Sequence, residues 1–205
     1  MKHILKQNEP TGMAEVRKQH LNWDDFHDQF ATLYHQCRDQ AINEQGEECA
    51  YTGLPLNDSS NIHLDHFKKK ALYENLTFDW NNLFAAIKDN GFGADFKDRI
   101  IDGKNHTTLY SLLLNPAIDD PEPLFWYSND GYIVAKSDLN EIQKQRVETT
   151  ITIFNLNHST LVHRRRELLT ILENYKELPE STTTDALKKY GFSFVVSFFY
   201  KHNLF

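Results

Sequence analysis

Hydrophobic side chains near the start of the chain recur at steps of three and four residues. This spacing places them on one face of a helix and predicts a single amphipathic helix from near Asn22 to before Gly46. The repeating positions are Trp23, Phe26, Phe30, Leu33, Tyr34 and Cys37. We expect these aromatic rings in a core rather than on a surface for base stacking.

The last third of the chain shows the helical period in three stretches. They run from Leu139 to about Leu156, from His158 or Ser159 to Leu178, and from Thr184 to about His202. The last stretch is apolar almost all round, at Phe192, Phe194, Val195, Val196, Phe198, Phe199 and Tyr200. Such a helix must be buried, either in its own domain or against another subunit, and the pattern leaves both alternatives open.

Between these helical parts the pattern changes to short strands and turns. Residues 125–128 and 132–135 flank Asn129-Asp130-Gly131, which predicts a β-hairpin. We therefore divide the chain into three parts. These are an N-terminal helical segment (1–46), a central part that the hairpin extends (47–136), and a C-terminal helical region that is a candidate partner interface (137–205).

A carboxylate and an imidazole lie side by side in the central part, at Asp65 and His66. A carboxylate offers hard oxygen ligands to a magnesium-like ion, and a neutral imidazole accepts a proton from water near physiological pH. Cleavage of a phosphodiester needs a nucleophilic water, a cation at the phosphate and stabilisation of the departing oxygen. The pair therefore predicts a phosphodiesterase centre.

Geometry sets a condition on this pair, because consecutive side chains of a regular strand face opposite sides. We expect the strand to end or bulge near Asp65 so that both side chains can serve one site. His63 would share the face of Asp65, as a further metal ligand or an orienting group. An isolated Asp-His pair is more often a surface contact, so the surrounding pattern has to decide.

Three stretches around the pair resemble the HNH endonuclease family. They are Cys49-Ala50-Tyr51-Thr52-Gly53, His63-Leu64-Asp65-His66-Phe67 and residues 76–83, which end in Asn81-Asn82-Leu83. Glu9-Pro10 and residues 114–122 are similar to the HNH nuclease subunit of Septu-type and retron-associated anti-phage systems. The resemblance implies an α+β fold with a ββα-metal (HNH) nuclease core, N-terminal helices, an extra β-hairpin and a C-terminal helical region.

The resemblance also implies roles for individual residues. Asp65 would bind the catalytic metal, Mg²⁺ or Mn²⁺, and His66 would be the general base. Asn82 falls where the family has an asparagine that holds the loop of the base in place. Its implied part in catalysis is to orient, not to react.

The third metal ligand is less well defined by the resemblance. Without a gap, Gly91 takes the ligand position of the family, and a slip of one residue restores Asn90 to it. His106 lies too far along the chain to be more than an outside candidate. The predicted metal ligands are therefore Asp65 together with Asn90 or His63.

Many members of the family carry two Cys-x-x-Cys pairs that bind a structural zinc. Here Thr52 stands three residues after Cys49, Ile87 and Asn90 replace the second pair, and Cys37 has no partner motif. We therefore do not expect a structural zinc site. Packing has to hold the core instead, by Tyr51, Leu54, Phe67, Phe84 and Ile87.

Acidic residues outnumber basic ones, with 22 Lys and Arg against 29 Asp and Glu and a net charge of −7. This balance disfavours an autonomous nucleic-acid binder, so the phosphate-binding surface must be local or supplied by a partner. Lys68, Lys69 and Lys70 follow the predicted base and are candidate contacts to the nucleic-acid backbone, with a solvated face as the alternative. For Arg164-Arg165-Arg166 we favour a solvated face or a protein contact.

The resemblance implies an ATPase partner related to ABC and SMC proteins, and a retron reverse transcriptase with its RNA or DNA product is a further candidate. The chain has no Gly-x-x-x-x-Gly-Lys-Ser/Thr loop of its own.

We expect a metal-dependent endonuclease that acts in an anti-phage complex. The alternative is a binding or assembly subunit derived from an HNH nuclease but without activity. A serine hydrolase is disfavoured, because no nucleophile-elbow motif is present.

The N-terminal residues 1–8 lack the apolar run of a signal peptide, and no segment approaches the ~20 apolar residues of a membrane span. Two cysteines without a pairing pattern agree with a reducing compartment. We therefore expect a cytoplasmic protein that does not contact the membrane.

Overall fold

Helices form the N-terminal segment of the computed structural model, which describes residues 1–19 and 21–205. Helix α1 spans Met13–Lys18, α2 spans Trp23–Gln29 and α3 spans Ala31–Glu44. The single continuous helix expected over residues 22–45 is therefore wrong. Phe30 leaves the helical conformation, with φ −122° and ψ 37°, and separates α2 from α3.

The break between α2 and α3 lets aromatic rings of both helices pack together. The ring of Phe26 lies 5.3 Å from that of Trp23 and 6.3 Å from that of Tyr34, measured between centroids. Phe78, from the connection between two strands, lies 5.5 Å from Phe26. The expected core role of these rings is confirmed for Phe26 and Tyr34, which are buried, whereas Trp23 is only partly buried.

Two strands and a helix follow one another in the central part. Strand β1 (Ile62–His66) pairs antiparallel with β2 (Leu83–Ile87), in a register that runs without interruption from Ile62 opposite Ile87 to His66 opposite Leu83. Helix α4 (Gly93–Ile100) comes next and contacts β2, while α3 contacts both strands. Short 3-10 helices lie in the connections, at Ser59–Asn61, Glu74–Leu76, Trp80–Asn82 and Lys104–Leu112.

The predicted hairpin is confirmed. Strands β3 (Phe125–Tyr127) and β4 (Ile133–Ala135) pair antiparallel and form a second small sheet that packs against the next helix. The turn needs Gly131, because its φ is +85° and a Cβ atom there would lie 2.5 Å from the carbonyl oxygen of Val162. The turn therefore touches a later helix closely.

The C-terminal region is helical as predicted, with different boundaries. The last predicted helix is two helices, because the chain turns at Gly191, where φ is +74° and a Cβ atom would lie 2.4 Å from the carbonyl oxygen of Gly53. The helices of this region are α5 (Glu141–Ile153), α6 (Ser159–Leu172), α7 (Glu180–Leu187) and α8 (Ser193–His202).

The apolar side chains of α8 are buried within the chain itself. Phe194, Val195, Val196, Phe198 and Phe199 are each at most 6% exposed. Two rings of β3, those of Trp126 and Tyr127, both lie 5.1 Å from the ring of Phe198. Of the two alternatives for this helix, internal burial is confirmed.

The side chains expected to hold the central core without zinc are packed there. Tyr51, Phe67 and Phe84 are fully buried, Leu54 is buried, and Ile87 is partly buried against the same core. Helices and two small antiparallel sheets in the described part of the chain confirm the α+β class. None of the helices described here has the length and apolar character needed to cross a membrane.

Candidate functional site

The regular pairing of β1 decides how Asp65 and His66 are oriented. Asp65 lies opposite Phe84 and His66 lies opposite Leu83, so no bulge interrupts the strand before it ends at His66. Consecutive side chains of such a strand face opposite sides. The two predicted site residues accordingly contact different neighbours, and the structure does not bring their side chains to one point.

Asp65 faces a tyrosine and a lysine. Its Oδ2 atom accepts a hydrogen bond of 2.5 Å from the Tyr51 hydroxyl and one of 3.0 Å from Lys97 Nζ. Burial raises the pKa of Tyr51 well above its usual value, so the phenol keeps its proton and donates. The carboxylate of Asp65, itself only 5% exposed, is thereby held by two donors.

Lys97 of α4 is the residue that sequence reasoning missed. Its side chain is fully buried, and Nζ also donates to the carbonyl oxygens of His66, at 2.6 Å, and Phe67, at 3.1 Å. Asp98 Oδ1 lies 3.1 Å from the same nitrogen as an ion pair. We call Asp65, Tyr51, Lys97 and Asp98 the Asp65 centre.

The charge state of this lysine follows from two opposing effects. Burial alone would lower the pKa of Lys97, but the carboxylates of Asp65 and Asp98 outweigh burial and raise it above its usual value. Lys97 is therefore an ammonium ion at neutral pH. The Asp65 centre therefore already contains one cation, the Lys97 ammonium.

His66 lies in an apolar and aromatic environment. Its Nε2 atom is 2.9 Å from the carbonyl oxygen of Thr77, and the Trp23 ring packs against the imidazole with 4.4 Å between centroids. A carbonyl only accepts, so Nε2 carries the proton and Nδ1 is the free acceptor of the neutral ring. Burial is the main cause that lowers the pKa of His66 to about 4, which keeps the ring neutral at pH 7.

Asn82 links β2 to the segment that follows His66. Its side-chain Oδ1 accepts from the Lys68 amide at 2.8 Å, and Nδ2 donates to the carbonyls of Lys68, at 3.0 Å, and Leu76, at 3.1 Å. Its own carbonyl oxygen accepts from the Phe67 amide at 2.9 Å. Asn82 thus braces the chain directly after His66, and its orienting part in catalysis stays a prediction.

Neither of the other two predicted metal ligands has a described contact with the Asp65 carboxylate. His63 has its Nε2 atom 3.8 Å from Asp95 Oδ1, and within the described residues its buried Nδ1 has no hydrogen-bond partner. Asn90 is exposed in the connection from β2 to α4, where its carbonyl oxygen accepts from Arg99. Across residues 1–19 and 21–205, no three His, Cys, Asp or Glu side chains are grouped so that they could hold a metal ion.

The donor atoms around Asp65 do not fit a divalent cation in this arrangement. The Oδ2 atom is already shared by a phenol and an ammonium, and Lys97 stands 3.0 Å away with a full positive charge. A second cation at the same carboxylate would be repelled by that ammonium in a site of low dielectric.

The three lysines predicted to contact nucleic acid lie against different neighbours within the chain. Lys69 Nζ donates to the carbonyl oxygen of Asp98 at 2.9 Å, which ties it to α4. Lys68 Nζ lies 5.3 Å from the centre of the Tyr73 ring. Lys70 Nζ is 3.3 Å from Asp24 Oδ1, at a cleft in front of α2.

That cleft has a volume of about 690 Å³ and borders the surroundings of His66. Trp23 and Thr77 line it, and both of these residues contact the His66 imidazole. The remaining lining residues are Arg17, Leu21, Asn22, Asp24, Lys70, Ala71, Glu74, Asn75 and Phe78. His66 itself does not line the cleft, which it adjoins through Trp23 and Thr77.

The two cysteines do not share a site. Cys37 is buried in α3 with its Sγ 3.5 Å from Met13 Sδ, and Cys49 is a free buried thiol close to the start of the central part. Burial raises the pKa of Cys37 to about 12, so this thiol stays protonated.

Comparison with known proteins gives no relative from which a function could be transferred. No protein-family model matches the chain, and no curated protein matches it significantly. The function therefore has to be argued from the residues and their geometry.

Proposed function

We propose that this chain is an HNH-type endonuclease that hydrolyses phosphodiester bonds of DNA or RNA, as the effector subunit of an anti-phage complex. The observation that carries the proposal is the braced segment after His66. Asn82 holds that segment from the start of β2, in a chain order of strand, strand and helix. This arrangement agrees with the motifs that resemble the HNH family.

In this proposal His66 accepts a proton from the attacking water. The hydrogen bond to Thr77 leaves Nδ1 as the accepting atom. Burial lowers the pKa of His66 to about 4, so the ring is neutral at physiological pH but is a weaker base in this arrangement than a solvated imidazole. The Trp23 ring packs against the imidazole and also lines the cleft beside α2.

Mg²⁺ or Mn²⁺ is the proposed cofactor, and the residues predicted to hold it are Asp65 with His63 or Asn90. When bound, such an ion would neutralise charge at the scissile phosphate. Because Lys97 occupies the Asp65 carboxylate, we derive no step of the reaction through the metal. The partner proposed to control the subunit is an ATPase related to ABC and SMC proteins. A retron reverse transcriptase with its nucleic-acid product is a further candidate.

A second candidate function is a binding or assembly subunit derived from an HNH nuclease but without activity. Two observations favour it: the ion pair between Asp65 and Lys97, and the burial of His66, which is only 6% exposed. Such a subunit would bind its partner but would cut no nucleic acid with any divalent cation.

Cleavage of labelled DNA and RNA separates the two functions. We would compare the wild type with His66→Ala, in Mg²⁺, Mn²⁺ or chelator, each with and without the ATPase subunit. The matched control is His163→Ala, since His163 is exposed and pairs with Glu167 at the surface. Cutting by wild type and control that His66→Ala abolishes would support the nuclease. Equal cutting by His66→Ala would exclude His66 as the base, and no cutting under any condition would favour the assembly subunit.

A further inference from the structure

Lys97 occupies a set of oxygen atoms of the kind that hard metal cations also bind. Its Nζ lies 2.6 Å from the His66 carbonyl, 3.0 Å from Asp65 Oδ2 and 3.1 Å from both the Phe67 carbonyl and Asp98 Oδ1. Carboxylate and main-chain carbonyl oxygens are the ligands that Mg²⁺, Mn²⁺ and Ca²⁺ favour in proteins. The ammonium therefore stands in a cation site formed by β1, the segment after it and α4.

The lysine is enclosed by the protein, unlike a surface ion pair. The side chain of Lys97 is 0% exposed and that of Asp65 is 6% exposed. A buried carboxylate needs a cation beside it, because an unpaired charge is costly away from water. Lys97 meets this need of Asp65, and a divalent ion at the same oxygen would repel the ammonium at close range.

We propose that Lys97 is the resident cation of the Asp65 centre and that its contact with Asp65 excludes a divalent metal from that carboxylate. Metal binding at Asp65 then requires Lys97 to withdraw. The choice of metal rests on the proposed function, but the exclusion itself can be measured without nucleic acid.

The same ammonium ties α4 to the end of β1. Its bonds to the carbonyls of His66 and Phe67 hold the main chain at the proposed base, while its bond to Asp65 holds the proposed metal ligand. A partner that shifts α4 would therefore release both residues together. The bonds of Lys97 therefore restrain both the proposed base and the proposed metal ligand from within the chain.

Binding of Mn²⁺ alone, followed by electron paramagnetic resonance and calorimetry, tests the exclusion. Lys97→Met removes the ammonium and keeps most of the side-chain volume. The apparent affinity of a site falls with the fraction of molecules competent to bind, so this variant should bind Mn²⁺ on the order of tenfold more tightly than wild type. The matched control is Lys69→Met, which removes a neighbouring ammonium that contacts α4 but not Asp65, and it should bind like wild type.

The double variant Asp65→Asn, Lys97→Met keeps the test decisive if the single variant does not fold. It removes both charges of the pair, and we expect it to bind Mn²⁺ no better and no worse than the wild type. Wild-type binding that exceeds that of the double variant would overturn the proposal, because Asp65 would then hold metal with Lys97 present. A folded Lys97→Met variant that binds no more Mn²⁺ than wild type would overturn it as well.

Failure of this proposal and failure of the nuclease proposal give different results. If the chain is an inactive assembly subunit, Lys97→Met still gains Mn²⁺ affinity while neither protein cuts nucleic acid. If the chain is a nuclease without the restraint, wild type cuts with its partner, and Mn²⁺ binding is the same with and without Lys97.

Discussion

Two buried cations tie helices to other elements of this protein, and they differ in what faces them. Lys97 of α4 faces the carboxylates of Asp65 and Asp98. Arg165 of α6 is 1% exposed, and its described bonds go to neutral oxygens, at 2.6 Å to the Gly131 carbonyl, 2.8 Å to the Leu156 carbonyl and 3.4 Å to Asn157 Oδ1. Each cation holds a turn or a strand end in place.

The different neighbours shift the two pKa values in opposite directions. Burial lowers the pKa of Arg165 to about 10, and no carboxylate in the described part of the chain compensates it. Burial would lower the pKa of Lys97 too, but Asp65 and Asp98 raise it above the usual value. Both cations contact carbonyl oxygens, but only the site of Lys97 adds carboxylates, whose negative charge a divalent cation needs. Lys97 therefore lies where a metal ion could compete with it, whereas Arg165 holds the hairpin turn in place.

The largest effect is expected from breaking the ion pair on one side. Lys97→Met leaves the Asp65 carboxylate buried without its cation, which should lower the free energy of unfolding by about 3–5 kcal/mol at pH 7. Urea unfolding followed by circular dichroism measures the change. The double variant Asp65→Asn, Lys97→Met should recover most of the loss, because both charges are then absent.

The control for this prediction is Lys69→Met, whose part-buried ammonium donates to the Asp98 carbonyl. We expect a loss of about 0–1 kcal/mol for it. A double variant as unstable as the single one would show that Asp65 and Lys97 are not energetically coupled.

His66 extends the comparison to a basic group that is buried beside aromatic rings. Its pKa is about 4 in the folded chain and about 6.5 when unperturbed, with burial as the main cause. Between these values the unfolded chain binds the proton and the folded chain does not, so stability falls as pH falls from about 6.5 to 4. The loss at pH 4 should reach roughly 3 kcal/mol.

Urea unfolding of the wild type and of His66→Gln at pH 7 and at pH 4 isolates this contribution. The variant lacks the titrating ring, so its stability should fall by roughly 3 kcal/mol less than that of wild type over this range. Identical losses in both proteins would mean that the pKa of His66 is not lowered in the fold.

A smaller effect is expected at Arg165. Arg165→Met removes two bonds to buried carbonyls but also removes a buried charge without a counter-ion among the residues that the structure describes, so we expect a loss of about 1–3 kcal/mol. Arg164→Met is the matched control, because that side chain is 42% exposed and its ion pair with Glu167 is long, at 4.0 Å. It should change stability by less than about 1 kcal/mol. If Arg165→Met costs as much as Lys97→Met, the contrast between the two cations is lost.

Arg165 departs from the solvated face expected as one alternative for the arginine cluster, because its side chain is buried. A run of three arginines on a helix suggests a solvated face, but Arg165 points into the core while Arg166 contacts the Asp130 carbonyl at the hairpin turn. The pattern of charges has no signal for this, because residues one position apart on a helix face different directions. Only the packing of α6 on the hairpin turn selects the middle arginine for burial.

Local patterns predicted much of the fold. The Asn129-Asp130-Gly131 turn between two β-prone runs predicts a hairpin, since each feature acts over a few neighbouring residues. The apolar stretch that became α8 predicts a buried helix for the same reason. The predicted helix boundaries are wrong at Phe30 and Gly191. Phe30 has a non-helical backbone conformation, and Gly191 lies close to the carbonyl oxygen of Gly53, so each position separates two helices where the hydrophobic pattern is continuous.

The candidate site was predictable as a set of residues but not as an arrangement. Asp65, His66 and Asn82 are recognisable from their spacing and chemistry. The sequence predicts a strand that ends or bulges near Asp65 so that Asp65 and His66 serve one site, whereas the regular register of β1 leaves their side chains on opposite sides. Lys97 stands among the charged residues Asp95, Asp98 and Arg99. Such a run of charges is typical of the exposed face of a helix. No local signal marks it for burial.

The sequence by itself determined the α+β composition, the hairpin and the burial of the C-terminal helix, because these depend on side-chain type and on short-range periodicity. The tertiary structure alone decided that α4 turns Lys97 onto Asp65 and that α2 lays Trp23 on His66. Both contacts join residues more than thirty positions apart, and the free energy of burying a charge or a ring there depends on which surfaces meet.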